Sequence, residues 1–437
     1  METENNSIYA IDPATGAVRT SRNIGTPVPL SALPGGCTNN SSVVGIASTP
    51  VVDTATGTMY LIAYTYESNA PVFRIHALDL NTLADKITPV VIAASGALSN
   101  SALYNFNPAV SRQRTALLLS GNNVYAGFST FCDLAANAAR GWVLGWNAST
   151  LAPLAANYLV DAQPTSFSYF LSSVWMSGAG IAADPAGNIY FATSNSADSG
   201  SSYSSTWNLE ESIIKMSGDL TKVLTYFTPS DPTDNVGALD SGDKDFGAGG
   251  VMLFPDQFNG INAAVVAGKA GETYFVNRDS MGGYDASGTN HISGTFNTGA
   301  CYCAPSYYHG SDGVARVVTS GVNFLEVWDV TASPSLSLIE EGSPVAVTTG
   351  QDPGFFTSVS SNGQQHAVIW AVGRPTNASP ANVILYAFDP TAMSSPLLSV
   401  TAGVWPNSNA NANIVPVVAN GQVYVASYKN IDIFGLP

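Results

Sequence analysis

The side chains with the most chemical potential lie in one short run, residues 239–250, LDSGDKDFGAGG. Asp240, Asp243 and Asp245 put three carboxylates within six residues, and glycines follow them. Oxygens at that density suit a hard cation such as Ca²⁺, which takes about six to eight oxygen ligands. A carboxylate beside such an ion can also act as a base, because the ion offsets its charge. The plainer alternative is a polar turn leading into a strand at 251–254. The run is not an EF-hand, since the closing Glu of that loop is missing.

Other candidates are scattered. Asn195 closes a strand, a place Asn also takes for turn chemistry alone. Lys269 follows a strand in a chain poor in lysine, where its cation either partners Asp243 or faces solvent. The segment 301–312, CYCAPSYYHGSD, gathers Tyr302, Tyr307, Tyr308 and His309. Such aromatics on a loop can stack on a sugar or a quinone ring, or pack between sheets. The remaining histidines, His76, His291 and His366, have no metal-ligand spacing. There is no G-x-S-x-G, phosphate-binding loop or H-E-x-x-H. Sequons stand at Asn40, Asn147 and Asn377, and matter only in a host that glycosylates.

Composition narrows the class. Lys and Arg total 15 against 31 Asp and Glu, a formal net charge of −16, so a phosphate-binding face is excluded and with it a nucleic-acid partner. No run of eighteen apolar residues is present, so no membrane-spanning helix is expected. The four cysteines, in an acidic chain rich in Ser, Thr and Asn, favour disulfides and a secreted or periplasmic setting. Cys37–Cys132 is the expected bridge. Cys301 and Cys303 leave three states open: a bridge, free thiols or a metal. The N-terminus, METENNSIYAID, is polar and starts inside a repeat, which leads us to expect that a leader and some folded sequence precede it in the natural protein.

The elements that must position these residues come from a repeat. Its clearest copy is residues 180–196, GIAADPAGNIYFATSNS: a short apolar segment, a Pro-Ala-Gly-Asn turn, an alternating strand and a small polar tail. Groups of four such strands recur at about 47–94, 114–160, 175–228, 247–296, 305–344 and 355–404. Residues 414–436 supply three further strands, and the chain opens on two, at about 8–12 and 18–24. With 40 Gly, 25 Pro and only 11% charged residues, turns are plentiful and long helices disfavoured. The Ala-rich stretch 134–140 is at most one helical turn. The expected fold is all-β, a single β-propeller domain over 1–437 built of four-stranded antiparallel blades. Seven blades result if the terminal strands share the closing blade, which would remove the exposed edge. An incomplete eight-bladed ring is the alternative.

The repeats IYAIDPATGAV, STPVVDTATGTMYLIAY, LYAFDPTA and VPVVANGQVYVASY resemble those of the quinoprotein-like β-propellers, over most of the chain. Two longer stretches, ARGWVLGW at 139–146 and WMSGAGIAADPAGNIYFATSN at 175–195, are similar to strands of quinoprotein alcohol dehydrogenases. Those enzymes bind pyrroloquinoline quinone and a calcium or lanthanide ion. The resemblance implies Asn195 as a metal ligand and Trp175 as a stacking surface for the quinone. It implies Asp243 as the catalytic base, Asp245 as a second metal-site acid and Lys269 as the basic residue contacting the quinone. Asp133 is the acid nearest the place of the family's metal-binding Glu. The family's adjacent Cys-Cys pair is absent, and Gly242 stands where the family has Trp before the first Asp.

Three functional readings follow. The first is a secreted, monomeric propeller that binds a small-molecule or glycan ligand at its acidic face, with Ca²⁺ held by Asp243, Asp245 and Asn195. The second is an oxidoreductase using pyrroloquinoline quinone, with Asp243 taking the alcohol proton. The third is a polysaccharide-active enzyme, with Tyr307, His309 and Lys269 as its acid–base groups.

Overall fold

The structure, a computed structural model, describes residues 1–35, 37, 39–165, 168–197, 204–229, 236–258, 260–285, 292–330, 336–342, 354–374, 380–406 and 412–435. His291 and Asn377 lie outside them. The chain divides into two compact units. The first comprises Met1–Trp175, Gly180–Asp243 and Gly283–Thr289, and the second Met176–Ala179, Lys244–Gly282 and Asn290–Pro437.

The first unit holds three antiparallel blades. The first blade runs Val51–Asp53, Thr58–Glu67, Ala70–Asp79, Asp85–Val91 in spatial order. The second runs Leu118–Ser120, Asn123–Thr130, Trp142–Asn147, Tyr158–Leu159, with Ser111–Arg112 also paired to its second strand. The third runs Ala182–Ala183, Ile189–Ala192, Ile213–Met216, Val223–Phe227. A hairpin, Ser7–Ile11 with Val18–Asn23, precedes them. The second unit repeats the pattern in a fourth blade between Val251–Phe258 and Ile292–Asn297, a fifth between Ser306–His309 and Leu336–Gly342, and a sixth between Phe356–Asn362 and Leu398–Trp405. Its last sheet has three strands, Val417–Ala419, Gln422–Ser427 and Asn430–Gly435. All six expected four-stranded groups are therefore present. The opening hairpin pairs within itself, as does the last three-stranded sheet.

Strand chemistry follows position in the blade. The second strand of the first blade, TMYLIAYTYE, is buried over its first eight residues, as a run covered on both faces must be. The outermost strand, DKITPVV, alternates half-buried and exposed positions. Hairpins between strands are tied by Asx turns. The Asp79 carboxylate accepts from the N–H groups of Asn81 and Thr82, at 3.0 and 2.9 Å. Those bonds to Thr82 hold the Asp79 carboxyl below the usual carboxylate range. Asp12, Asp53 and Asp389 tie equivalent turns. The recurring Asp of the sequence repeat is thus a turn lock.

Short helical segments interrupt the pattern. Ala135–Asn137 forms the single helical turn expected from the Ala-rich stretch. Val236–Ser241 is a six-residue α-helix that runs into the acidic loop. It was not expected, because six residues are too few to display a helical period.

Both cysteine pairs are bridged: Cys37–Cys132 with Cα atoms 5.5 Å apart, and Cys301–Cys303 with 5.3 Å. Asn40 packs on the first bridge. It is buried, and its amide donates to Cys37 Sγ at 3.1 Å. Beside it lies an aromatic core in which Tyr64 stacks on Phe73 at 4.1 Å and Phe106 meets Phe128 edge-on at 4.9 Å. The Cys37–Cys132 bridge spans 95 residues of sequence. Closing so long a loop in the unfolded chain removes much of its entropy, so Cys37→Ser is expected to lower unfolding free energy by about 2–5 kcal/mol. Guanidinium denaturation of both proteins under oxidising conditions measures the difference. Equal midpoints would show that the bridge contributes nothing.

Candidate functional site

In the first unit the chemistry collects where the strand Ile189–Ala192 ends. Its apolar side chains give way to Thr193, Ser194, Asn195 and Ser196, all buried. Buried polar groups must find partners, and most do so by bonds to neighbouring segments. Ser194 N–H donates to Ser173 O at 2.9 Å, and Ser172 N–H donates to Ser196 Oγ at 3.0 Å. Ser196 N–H donates to Asp240 Oδ1 at 2.9 Å. The acidic loop is thereby fixed to the strand end.

Asp240 lies in the helix Val236–Ser241 and is buried, whereas Asp243 follows in the left-handed region, with φ of 52°, and is exposed. Asp243 N–H donates to Asp240 O at 3.1 Å, closing the turn. This turn sets the Asp243 carboxylate beside Asn195, whose Nδ2 lies 3.4 Å from Asp243 Oδ1. Asn195 is only 2% exposed, and its Oδ1 is buried without a hydrogen-bond partner. A buried amide oxygen left bare is costly. The side chain that carries it meets the Asp243 carboxylate through Nδ2; with the amide reversed, the two groups together would offer oxygens of the kind a hard cation takes.

Asp133 belongs to the same patch. It has φ of 45° and accepts from the hydroxyls of Thr130 and Ser173, the latter at 3.3 Å. Ser173 Oγ also accepts from Thr130 N–H at 3.1 Å. Among the described residues, no group of three or more Asp, Glu, His or Cys side chains is arranged to hold a metal by itself.

Trp175 is 7% exposed, and the Arg114 guanidinium lies 4.6 Å from its ring centroid. The indole is thus a packing surface already covered by a cation. Nearby, Arg140 and Asp161 form a fully buried ion pair at 3.3 Å. Arg140 also donates to the Asp161 and Gln163 carbonyls at 2.7 and 2.6 Å, and its guanidinium faces the rings of Tyr104 and Tyr169.

The second unit holds the remaining candidates. Asp245 precedes the single turn Phe246–Ala248 but does not cap it with its side chain. Its carboxylate pairs instead with Lys269 Nζ at 3.2 Å, and Lys269 N–H donates to Asp245 O at 3.1 Å. Lys269 Nζ stands 5.8 Å from the ring centroid of Tyr302, which the Cys301–Cys303 bridge holds. Tyr307 packs edge-on to Phe254 at 5.2 Å and to His309 at 5.7 Å, within the apolar cluster shared by the fourth and fifth blades.

The structure therefore joins Asn195 to Asp243 and brings Asp133 to the same hydroxyl-rich patch. It pairs Asp245 with Lys269 in the other unit. The role of Asp240 was not legible as more than one acid among three. No signal in the sequence set it apart, because the helix that positions it is too short to show a period.

Solved structures share this fold. The quinohemoprotein alcohol dehydrogenase from Comamonas testosteroni matches with a TM-score of 0.58 and 12% identity, over 97% of this chain and 68% of its own. A quinohemoprotein alcohol dehydrogenase from Pseudomonas putida HK5 gives 0.54 and 13%, over 97% and 67%. At such identities the likeness is one of fold: an all-β propeller. No family model and no curated protein matches the chain.

The Asp240–Ser196 bond is charge-assisted and buried, so its loss should be felt in stability. Asp240→Ala is expected to cost about 1.5–3 kcal/mol, and Asp240→Asn, which keeps an acceptor, less. Chemical denaturation of the two variants checks the order; a neutral Asp240→Ala would show that the loop is held by other contacts.

Proposed function

We propose that this chain is a quinoprotein-like propeller that binds a small-molecule or glycan ligand through a Ca²⁺ ion seated on Asp243 and Asn195. The observation that carries the reading is the bare, buried Oδ1 of Asn195, on a side chain whose Nδ2 lies 3.4 Å from Asp243 Oδ1. An Asn amide reverses by rotation about its last torsion, which exchanges its N–H₂ and oxygen faces. The N–H₂ group points at Asp243; a cation in its place calls for the reversed amide, with the oxygen turned toward the ion. Two protein groups leave most of the coordination shell of Ca²⁺ to water and ligand oxygens. An ion so held bridges protein and ligand. Sugars and hydroxy acids supply oxygens of that kind.

The other expected members of the set have different roles in this reading. Asp245 serves Lys269, and Asp133 serves the hydroxyls of Thr130 and Ser173. The quinone implied by the resemblance does not fit on Trp175, whose ring is buried under Arg114. Two disulfides support an oxidising compartment outside the cytoplasm. The unbroken run of repeats supports treating residues 1–437 as one propeller domain.

Calorimetric titration of the metal-free protein tests the proposal. One equivalent of Ca²⁺ is expected to bind, with affinity reduced at least tenfold in Asn195→Ala and in Asp243→Ala. Pyrroloquinoline quinone added to the Ca²⁺-loaded protein is expected to give no binding heat. Unchanged Ca²⁺ affinity in the Asn195→Ala/Asp243→Ala double variant would overturn the assignment, and stoichiometric quinone binding would reverse the reading of Trp175.

A further inference from the structure

We infer that Arg22, Asp85 and His76 form an acid-sensitive latch that holds the N-terminal hairpin on the first blade. All three lie in the first unit, away from the candidate site.

The latch joins three segments. Arg22 is on the second strand of the hairpin, Val18–Asn23. Its Nη1 donates to Leu83 O at 2.6 Å, and its Nη2 pairs with Asp85 Oδ2. Asp85 opens the outermost strand of the first blade. Its other oxygen, Oδ1, lies 2.9 Å from His76 Nδ1 on the third strand. One carboxylate thus serves two bases, one from the hairpin and one from the blade.

His76 is suited to respond to acid. Its side chain is 4% exposed. An ionised carboxylate only accepts, so the imidazole proton sits on Nδ1 and Nε2 carries the lone pair. Nε2 is buried without a hydrogen-bond partner. The charged groups that act on the ring are Asp85, Arg22, Arg74 and Glu67, the last paired with Arg74 at 2.7 Å. Protonation would place an N–H where no acceptor waits and add a positive charge near two arginines. It would also strengthen the claim of His76 on Asp85 at the expense of Arg22.

Burial lowers the His76 pKa despite the Asp85 contact. The sign follows from linkage. A histidine depressed in the fold contributes fully above its unfolded value of about 6.5, and its contribution falls as pH drops below that. The first element to loosen is the hairpin, because Arg22 is its polar tie to the outer part of the blade. Ile8, buried with Met59, Leu61, Leu78 and Leu83, and Asn6, whose Nδ2 donates to Tyr64 O at 2.9 Å, remain as its other anchors.

Hydrogen exchange with mass-spectrometric readout on the full chain tests this at pH 7.5 and 5.5, after correction for intrinsic rates. Protection across 7–23 is expected to fall at least tenfold more than protection across 123–130 in the second blade. His76→Gln is expected to abolish that difference. Asp85→Asn is expected to loosen the hairpin at pH 7.5 already and to flatten its pH response, which keeps the test open if the histidine variant folds poorly. A uniform loss of protection along the chain, no loss at 7–23, or the wild-type response in His76→Gln would each overturn the latch.

Discussion

A strand covered on both faces has little room for polar side chains away from its ends, save where one meets a partner as His76 meets Asp85. That constraint governs every blade of this protein. The second strand of the first blade is buried for eight consecutive residues, and Ile189–Ala192 in the third blade is buried throughout. Polar chemistry is displaced to where each strand stops. At one end of the hairpins Asp and Asn side chains close the turns. Beyond Ile189–Ala192 the chain continues as four buried polar residues, and there the candidate site stands. Site and scaffold are thus two results of one packing requirement.

Scarcity of cations shapes the electrostatics. Fifteen Lys and Arg serve a chain with twice as many acids, so each cation is placed with care. Arg140 is buried against Asp161 and held between two tyrosines. Lys269 is committed to Asp245, Arg114 covers Trp175, and Arg22 shares Asp85 with a histidine. Asp243 is exposed and lies beside the Asn195 amide.

The blades were legible because alternation, apolar runs and Asx turns are local signals repeated six times. Asn195 and Asp243 were legible as types, but their meeting depends on the Asp240–Ser196 bond, a contact across 44 residues that no local pattern announces. Asp245 shows the opposite case. Two residues from Asp243, it pairs with Lys269 just ahead of the helical turn Phe246–Ala248. Nearness in sequence suggested a shared site, whereas Asp245 meets Lys269 and Asp243 meets Asn195. Trp175 carried a motif, yet its environment depends on Arg114, sixty-one residues earlier. The short helix Val236–Ser241 fell below the length at which periodicity can be read.

Asn40 has a consequence for making the protein. It heads an Asn-Ser-Ser sequon, yet its amide nitrogen is bonded to a disulfide sulfur inside the fold. A eukaryotic secretory pathway attaches its glycan to nascent chain, before that contact exists. A sugar on this nitrogen would then have to be buried, or the loop carrying Cys37 would have to stay open. Yield in such a host would depend on a race between glycosylation and disulfide closure, a race that a bacterial periplasm without the transferase never runs.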